Sequence, residues 1–217
     1  MNNYKYLLHG HFENKVSNLI NKTRVHMFKK FKDENLDLSF TYGLPHITII
    51  YGPVIKANNK LSLNKKTINN MYPGFFEKFK ELPSDIKYIG ISVFFSINRI
   101  IIKAEFESKQ LNKMRHYLIN TNPLIKSYYD EFKRNYKKNE KILREKFKNI
   151  YVKDKTYNKN PTGWIHASLL VVKSDIDEKK LIKMIKESDK IFKLNKNYIL
   201  SLKEIGINLN NNFYKIF

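Results

Sequence analysis

The chain contains no cysteine. A disulfide scaffold, a thiolate metal site and cysteine nucleophile chemistry are therefore excluded. No stretch approaches the roughly 18 apolar residues that a membrane span needs. The opening residues Met1-Asn2-Asn3-Tyr4-Lys5-Tyr6-Leu7-Leu8 lack the apolar run and small-residue cleavage site of a secretory signal. These absences lead us to expect a cytoplasmic protein with no membrane partner. There is no Walker-type phosphate loop, no Gly-x-Gly-x-x-Gly and no His-Glu-x-x-His. Acidic residues are scarce: 20 Asp and Glu face 41 Lys and Arg, a formal net charge of +21. Such a field attracts anions: nucleotides, nucleic acid or acidic surfaces. Lys, Asn and Ile share AT-rich codons, so a biased genome is a second source of the charge, but the field exists either way.

At 217 residues the chain has the size of one domain, or of two small lobes sharing a core. Hydrophobic residues make up 42% and aromatics 14%, enough for a core and too many for general disorder. Tyr4 to Phe12 reads as a strand, and Glu13 to Phe31 as a helix with Val16, Leu19, Ile20, Met27, Phe28 and Phe31 on one stripe. Pro45 to Tyr51 is a β-branched strand, with Gly52-Pro53 as its stop. Phe75 to Leu82 suits a short helix, and Tyr88 to Phe95 with Arg99 to Phe106 a hairpin. Lys109 to Ile119 and Leu124 to Tyr151 read as helices, the second carrying Ile125, Tyr129, Ile142, Phe147 and Ile150 on its apolar face. Lys153 to Gly163 is a polar loop before a strand from Trp164 to Val172. Ser174 suits the N-cap of a helix from Asp175 to Ser188, and Tyr198 to Leu209 and Phe213 to Phe217 close the chain as strands. Strands and helices mix without a strict β-α-β rhythm, so the fold class expected is α+β.

One pattern occurs in each half: His46-Ile47-Thr48-Ile49 and His166-Ala167-Ser168-Leu169. In a strand, residues two apart share a face. Each strand thus offers an imidazole beside a hydroxyl, with apolar residues behind them. A phosphodiester reaction suits that pairing. One imidazole takes a proton from the attacking oxygen and the other gives one to the leaving oxygen, while the hydroxyls donate to the non-bridging oxygens. No Asp or Glu occurs from Leu38 to Phe76, nor from Lys155 to Ser174. An anion prefers such surroundings. They also supply no neighbouring carboxylate for a His₂-carboxylate metal site or a local triad, so neither metal nor cofactor is expected.

Paired His-x-Thr/Ser-apolar motifs, one per half of a chain this long, resemble the two-histidine (2H) phosphoesterase superfamily. It includes LigT-like RNA 2′,3′-cyclic phosphodiesterases, 2′,5′-oligoadenylate phosphodiesterases and phage nucleases that destroy cyclic-oligonucleotide immune signals. The resemblance implies one bilobal domain over residues 1–217: two pseudo-symmetric lobes of antiparallel sheet plus helices around a central cleft. It implies His46 and His166 as catalytic residues and Thr48 and Ser168 as phosphate-binding ones. The interval between the motifs exceeds that of compact members, which places a lobe-bridging helical insertion at about 120–163.

The expected function is a metal-independent phosphodiesterase acting on a small signalling nucleotide, either a cyclic dinucleotide or oligonucleotide or a 2′,5′-oligoadenylate. The AT-biased residue usage and the compact chain suit a viral product that degrades immune signals. An RNA-end 2′,3′-cyclic phosphodiesterase and a non-enzymatic nucleic-acid-binding module are the alternatives, both drawing on the +21 charge. The expected partner is a nucleotide or oligonucleotide substrate, with no obligatory protein partner. Trp164, two residues before His166, together with the loop residues Tyr42 and Tyr157, are candidates for stacking a base. His9, His11, His26 and His116 lack a hydroxyl partner and stand lower. The lysines of 133–148 read as a solvated helix face.

Overall fold

The computed structural model describes residues 2–32, 36, 44–57, 65–96, 99–153, 165–195, 198–209 and 212–216. These residues form an α+β fold of two antiparallel four-stranded sheets and seven helices. The first sheet contains β1 (Asn2–Phe12), β2 (His46–Ala57), β7 (Leu202–Leu209) and β8 (Asn212–Lys215), in the order β2-β1-β7-β8. The second contains β3 (Ile86–Ser96), β4 (Arg99–Glu107), β5 (Ile165–Lys173) and β6 (Ile199–Leu200), in the order β5-β4-β3-β6. Both motif strands, β2 and β5, therefore stand at sheet edges, and those two edges lie against each other.

The alternation seen in the sequence sorts each strand. Leu8, Phe12, Ile47 and Ile49 from the first sheet and Ala104, Phe106, Ala167 and Leu169 from the second enter one shared core. Helix α1 (Asn14–Lys30) adds Val16 and Ile20, and α4 (Lys109–Thr121) adds Leu111, Met114 and Leu118. Burying each such side chain contributes about 1.5–3 kcal/mol. Helix α4 starts at Ser108, whose Oγ accepts from the Leu111 N–H at 3.0 Å. The remaining helices are α2 (Lys65–Met71), α3 (Phe75–Lys78), α5 (Pro123–Lys146), α6 (Lys148–Lys153) and α7 (Glu178–Ile191). Helix α5 packs on both β2 and β3. A second cluster, with Met27, Val93, Phe95, Phe147, Leu181 and Met184, fills the space under α6 and α7.

Four sequence expectations need correction. Gly52-Pro53 does not end β2, which runs on to Ala57. The pairing with β1 shifts register between Lys5 and Leu7, so the dipeptide falls at an irregularity of an edge strand, where a missing N–H is tolerated. The helix expected from Asp175 starts at Glu178 instead. Asp177 is its cap, accepting from the N–H groups of Lys179 and Lys180 at 2.9 and 3.2 Å. The segment from Tyr198 to Leu209 is not one strand. It divides at Ser201, with β6 pairing β3 in the second sheet and β7 pairing β1 in the first. The long helix from Leu124 breaks at the fully buried Phe147, and Ile142, expected on its apolar face, is 65% exposed.

Candidate active site

On β2, Ile47 and Ile49 are completely buried, which turns His46 and Thr48 to the opposite face. The antiparallel register sets His11 of β1 opposite His46, and His9 opposite Thr48. Directly opposed residues share a face, so three imidazoles gather beside one hydroxyl. The His9 ring lies 4.7 Å from that of His46 and 4.9 Å from that of His11, centroid to centroid.

The three rings are held differently. His46 Nδ1 lies 2.9 Å from the Leu44 carbonyl oxygen. A carbonyl only accepts, so Nδ1 carries the proton and Nε2 of the neutral ring is left as a base. Burial pulls the pKa of His46 below the usual imidazole value of 6.5; the Leu44 bond opposes this, and the charges of Arg24 and His11 add to the lowering. Burial first, then His46 and His11, bring His9 down to about 3, so it stays neutral at physiological pH. Neither ring nitrogen of His9 has a hydrogen-bond partner among the described residues. His11 Nδ1 donates to Glu204 Oε1 of β7 at 2.8 Å, and this bond holds the Glu204 carboxyl below its ordinary range. Phe213 of β8 lies over the pair, 4.2 Å from His11 and 5.0 Å from His9. Its approach requires Gly206: a Cβ there would stand 2.4 Å from the Phe213 ring and from the Tyr214 carbonyl oxygen.

The second motif has the same alternation and different neighbours. Ala167 and Leu169 are completely buried, while His166 and Ser168 are half-buried on the other face. The register with β4 sets Glu105 opposite His166 and Lys103 opposite Ser168. Lys103 Nζ lies 3.4 Å from Glu105 Oε1, with side chains 2% and 9% exposed. The acid-free run around His166 is thus acid-free along the chain only; a neighbouring strand supplies the carboxylate. Arg24 of α1 joins the two motifs. Its Nε and Nη2 donate to the Ser168 carbonyl at 3.2 and 2.9 Å, and its charge acts on His46.

The two motif strands thus adjoin, and Arg24 touches both motifs, bonding the Ser168 carbonyl while its charge acts on His46. Trp164, Tyr42 and Tyr157 lie outside the described residues. His26 and His116 are exposed on helices, His26 Nε2 standing 3.0 Å from Glu187 Oε1. The sequence ranks His9 and His11 below the motif residues and does not single out Glu204, Lys103 or Glu105. The available signal was polar residues two apart on otherwise apolar strands, His9-x-His11 and Lys103-x-Glu105. Among the described residues no group of three or more His, Asp or Glu is disposed to hold a metal ion, and no helix is long and apolar enough to cross a membrane.

No protein-family model matches this chain, and no curated protein does. Solved structures give distant likenesses. A conserved protein of unknown function from Agrobacterium tumefaciens is 13% identical with a TM-score of 0.46, over 100% of this chain and 85% of that one. Usb1 from Kluyveromyces marxianus is 9% identical with a TM-score of 0.43, over 99% and 97%. The same protein with uridine monophosphate is 11% identical with a TM-score of 0.43, over 98% and 97%.

Proposed function

We propose that the two histidine–hydroxyl pairs form one phosphodiesterase site of the two-histidine kind, in a single bilobal domain whose α5–α6 segment is an insertion between the motifs. The observation that carries this reading is the meeting of the two motif strands at adjoining sheet edges, each keeping its imidazole and hydroxyl off the core.

The surroundings favour different duties for the two histidines. His46 acts as the base: its Nδ1 is committed to Leu44, and burial with nearby positive charge keeps it unprotonated near neutral pH. With His46 as the base, the acid of the pair is His166, which stands opposite Glu105 in the β4–β5 register. A ribose hydroxyl or water gives its proton to His46 as its oxygen bonds to phosphorus. The bond to the leaving oxygen breaks, and that oxygen takes the proton of His166. Thr48 and Ser168 donate to the non-bridging oxygens as charge gathers there. Solvent resets both imidazoles.

Burial of the neighbouring groups supports a small substrate, or the end of a longer one: His9, His11, Thr48, Lys103 and Glu105 are each no more than 7% exposed. Cyclic dinucleotides and 2′,5′-oligoadenylates are the first substrates to try, and RNA ends the second. Incubation with 2′,5′- and 3′,5′-linked linear and cyclic nucleotides in excess EDTA, with products identified by mass, tests this. Cleavage of at least one linkage is expected. Activity that needs an added divalent ion would contradict the two-histidine scheme, as would no cleavage of any member.

A further inference from the structure

Two buried arginines occupy matching places in the two halves, and each reaches into the other half. Arg24 lies on α1, between β1 and β2, and donates through Nε and Nη2 to the carbonyl of Ser168 on β5. Arg115 lies on α4, between β4 and β5, and donates through Nε to the Ile49 carbonyl and through Nη2 to the Thr48 carbonyl on β2, both at 2.6 Å. The carbonyls taken include those of Thr48 and Ser168, the two motif hydroxyl residues. Both arginines are close to fully buried, 5% and 6% exposed.

The sequence carries the same correspondence. Ser17-x-x-Ile20-Asn21-Lys22-x-Arg24 within α1 repeats as Ser108-x-x-Leu111-Asn112-Lys113-x-Arg115, which runs from the N-cap into α4. In both copies the arginine stands four residues after one core residue and three before another: Ile20 and Met27 for Arg24, Leu111 and Leu118 for Arg115. That spacing keeps it on the buried stripe of its helix. A guanidinium there must find acceptors. The outer edges of β2 and β5 offer carbonyls that no strand of their own sheets pairs.

We propose that Arg24 and Arg115 form a reciprocal clasp in which each half of the molecule fixes the motif strand of the other half. They are positioning residues: they hold the backbone from which each histidine–hydroxyl pair projects. The clasp explains how two edge strands from separate sheets keep one spacing without hydrogen-bonded pairing into one sheet. It rests on the reading of the two motifs as one site, but the bonds themselves can be tested without any substrate.

Hydrogen exchange read by mass spectrometry on Arg24→Met and Arg115→Met gives that test. Arg24→Met should speed exchange in β5, and Arg115→Met in β2, by about 10- to 100-fold, the effect of losing charged hydrogen bonds. The pattern is crossed: the strand that loosens lies in the half opposite the substitution. Changes confined to the substituted helix and its own half, or uniform over the chain, would overturn the clasp. Arg24→Lys and Arg115→Lys keep the charge and lose the fork; they should show the same crossed pattern more weakly, and they decide the matter if a Met variant unfolds. If a substrate is found, kcat should fall in the Met variants and partly recover in the Lys variants. Wild-type inactivity on the nucleotide panel, with crossed exchange intact, would sink the phosphodiesterase reading and leave the clasp standing.

Discussion

The two halves of this molecule carry one motif in two electrostatic settings. Around His46 the strand neighbours are other imidazoles: His9, held neutral, and His11, tied to Glu204. Around His166 the corresponding neighbours are Glu105 and Lys103, a buried ion pair. The motif strands match in pattern, edge position and buried face, so the difference lies in what the adjacent strand presents. A repeated motif therefore need not mean repeated chemistry. Burial and nearby positive charge disfavour a proton on His46, whereas His166 stands opposite a carboxylate paired with a lysine; the proposed split into base and acid builds on that contrast.

The largest expected effect comes from removing either side of that division. His46→Ala and His166→Ala should each lower turnover by about 10²- to 10⁴-fold, the usual contribution of a positioned acid or base. The double variant should be far less than multiplicatively worse, since both serve one proton exchange. Full activity in either single variant, against an active wild type, would leave the second motif a structural echo.

The next effect sharpens the contrast. Glu105→Gln strips the buried Lys103 of its carboxylate and should cost about 3–5 kcal/mol in urea unfolding. Both histidine–hydroxyl pairs stay in place, so turnover by the folded variant should fall by less than about 10-fold, short of the loss of a positioned acid or base. Unchanged unfolding, or a loss of turnover as large as that of His166→Ala, would contradict a structural part for Glu105.

An effect confined to acid pH belongs to His9. Its folded pKa of about 3 lies below the unfolded value of 6.5. Between those values the unfolded chain binds the additional proton, so stability rises with pH. The contribution is complete above about pH 6.5 and is lost as pH falls towards 3, at up to about 1.4 kcal/mol per pH unit. His9→Phe should flatten the acid side of the stability curve by that slope, measured by urea unfolding between pH 4 and 7. An unchanged slope would mean that His9 titrates normally.

What the sequence made legible was local. Alternation along single strands was enough to put Ile47, Ile49, Ala167 and Leu169 in the core and the histidines and hydroxyls on the opposite face. Helical spacing likewise marked α1 and α4. What could not be read was set by pairing between distant segments. Nothing near His166 in the chain announces Glu105, because only the β4–β5 register brings it across. The same holds for His11 beside His46 and Glu204 beside His11. The split at Ser201 was hidden for a related reason: both short segments look like strand, and only the tertiary arrangement sends them to different sheets. The Gly52-Pro53 stop failed because an edge strand can absorb a residue that an interior strand would not.

The claim on which the account turns is that His46 and His166 face one phosphate. Imidazole NMR of histidine-labelled protein, titrated with inorganic phosphate, tests it without knowledge of the natural substrate. The account predicts that the His46 and His166 resonances move together, with one midpoint, while those of exposed His26 and His116 stay put. Movement of only one of the two, or two separate midpoints, would contradict a shared site.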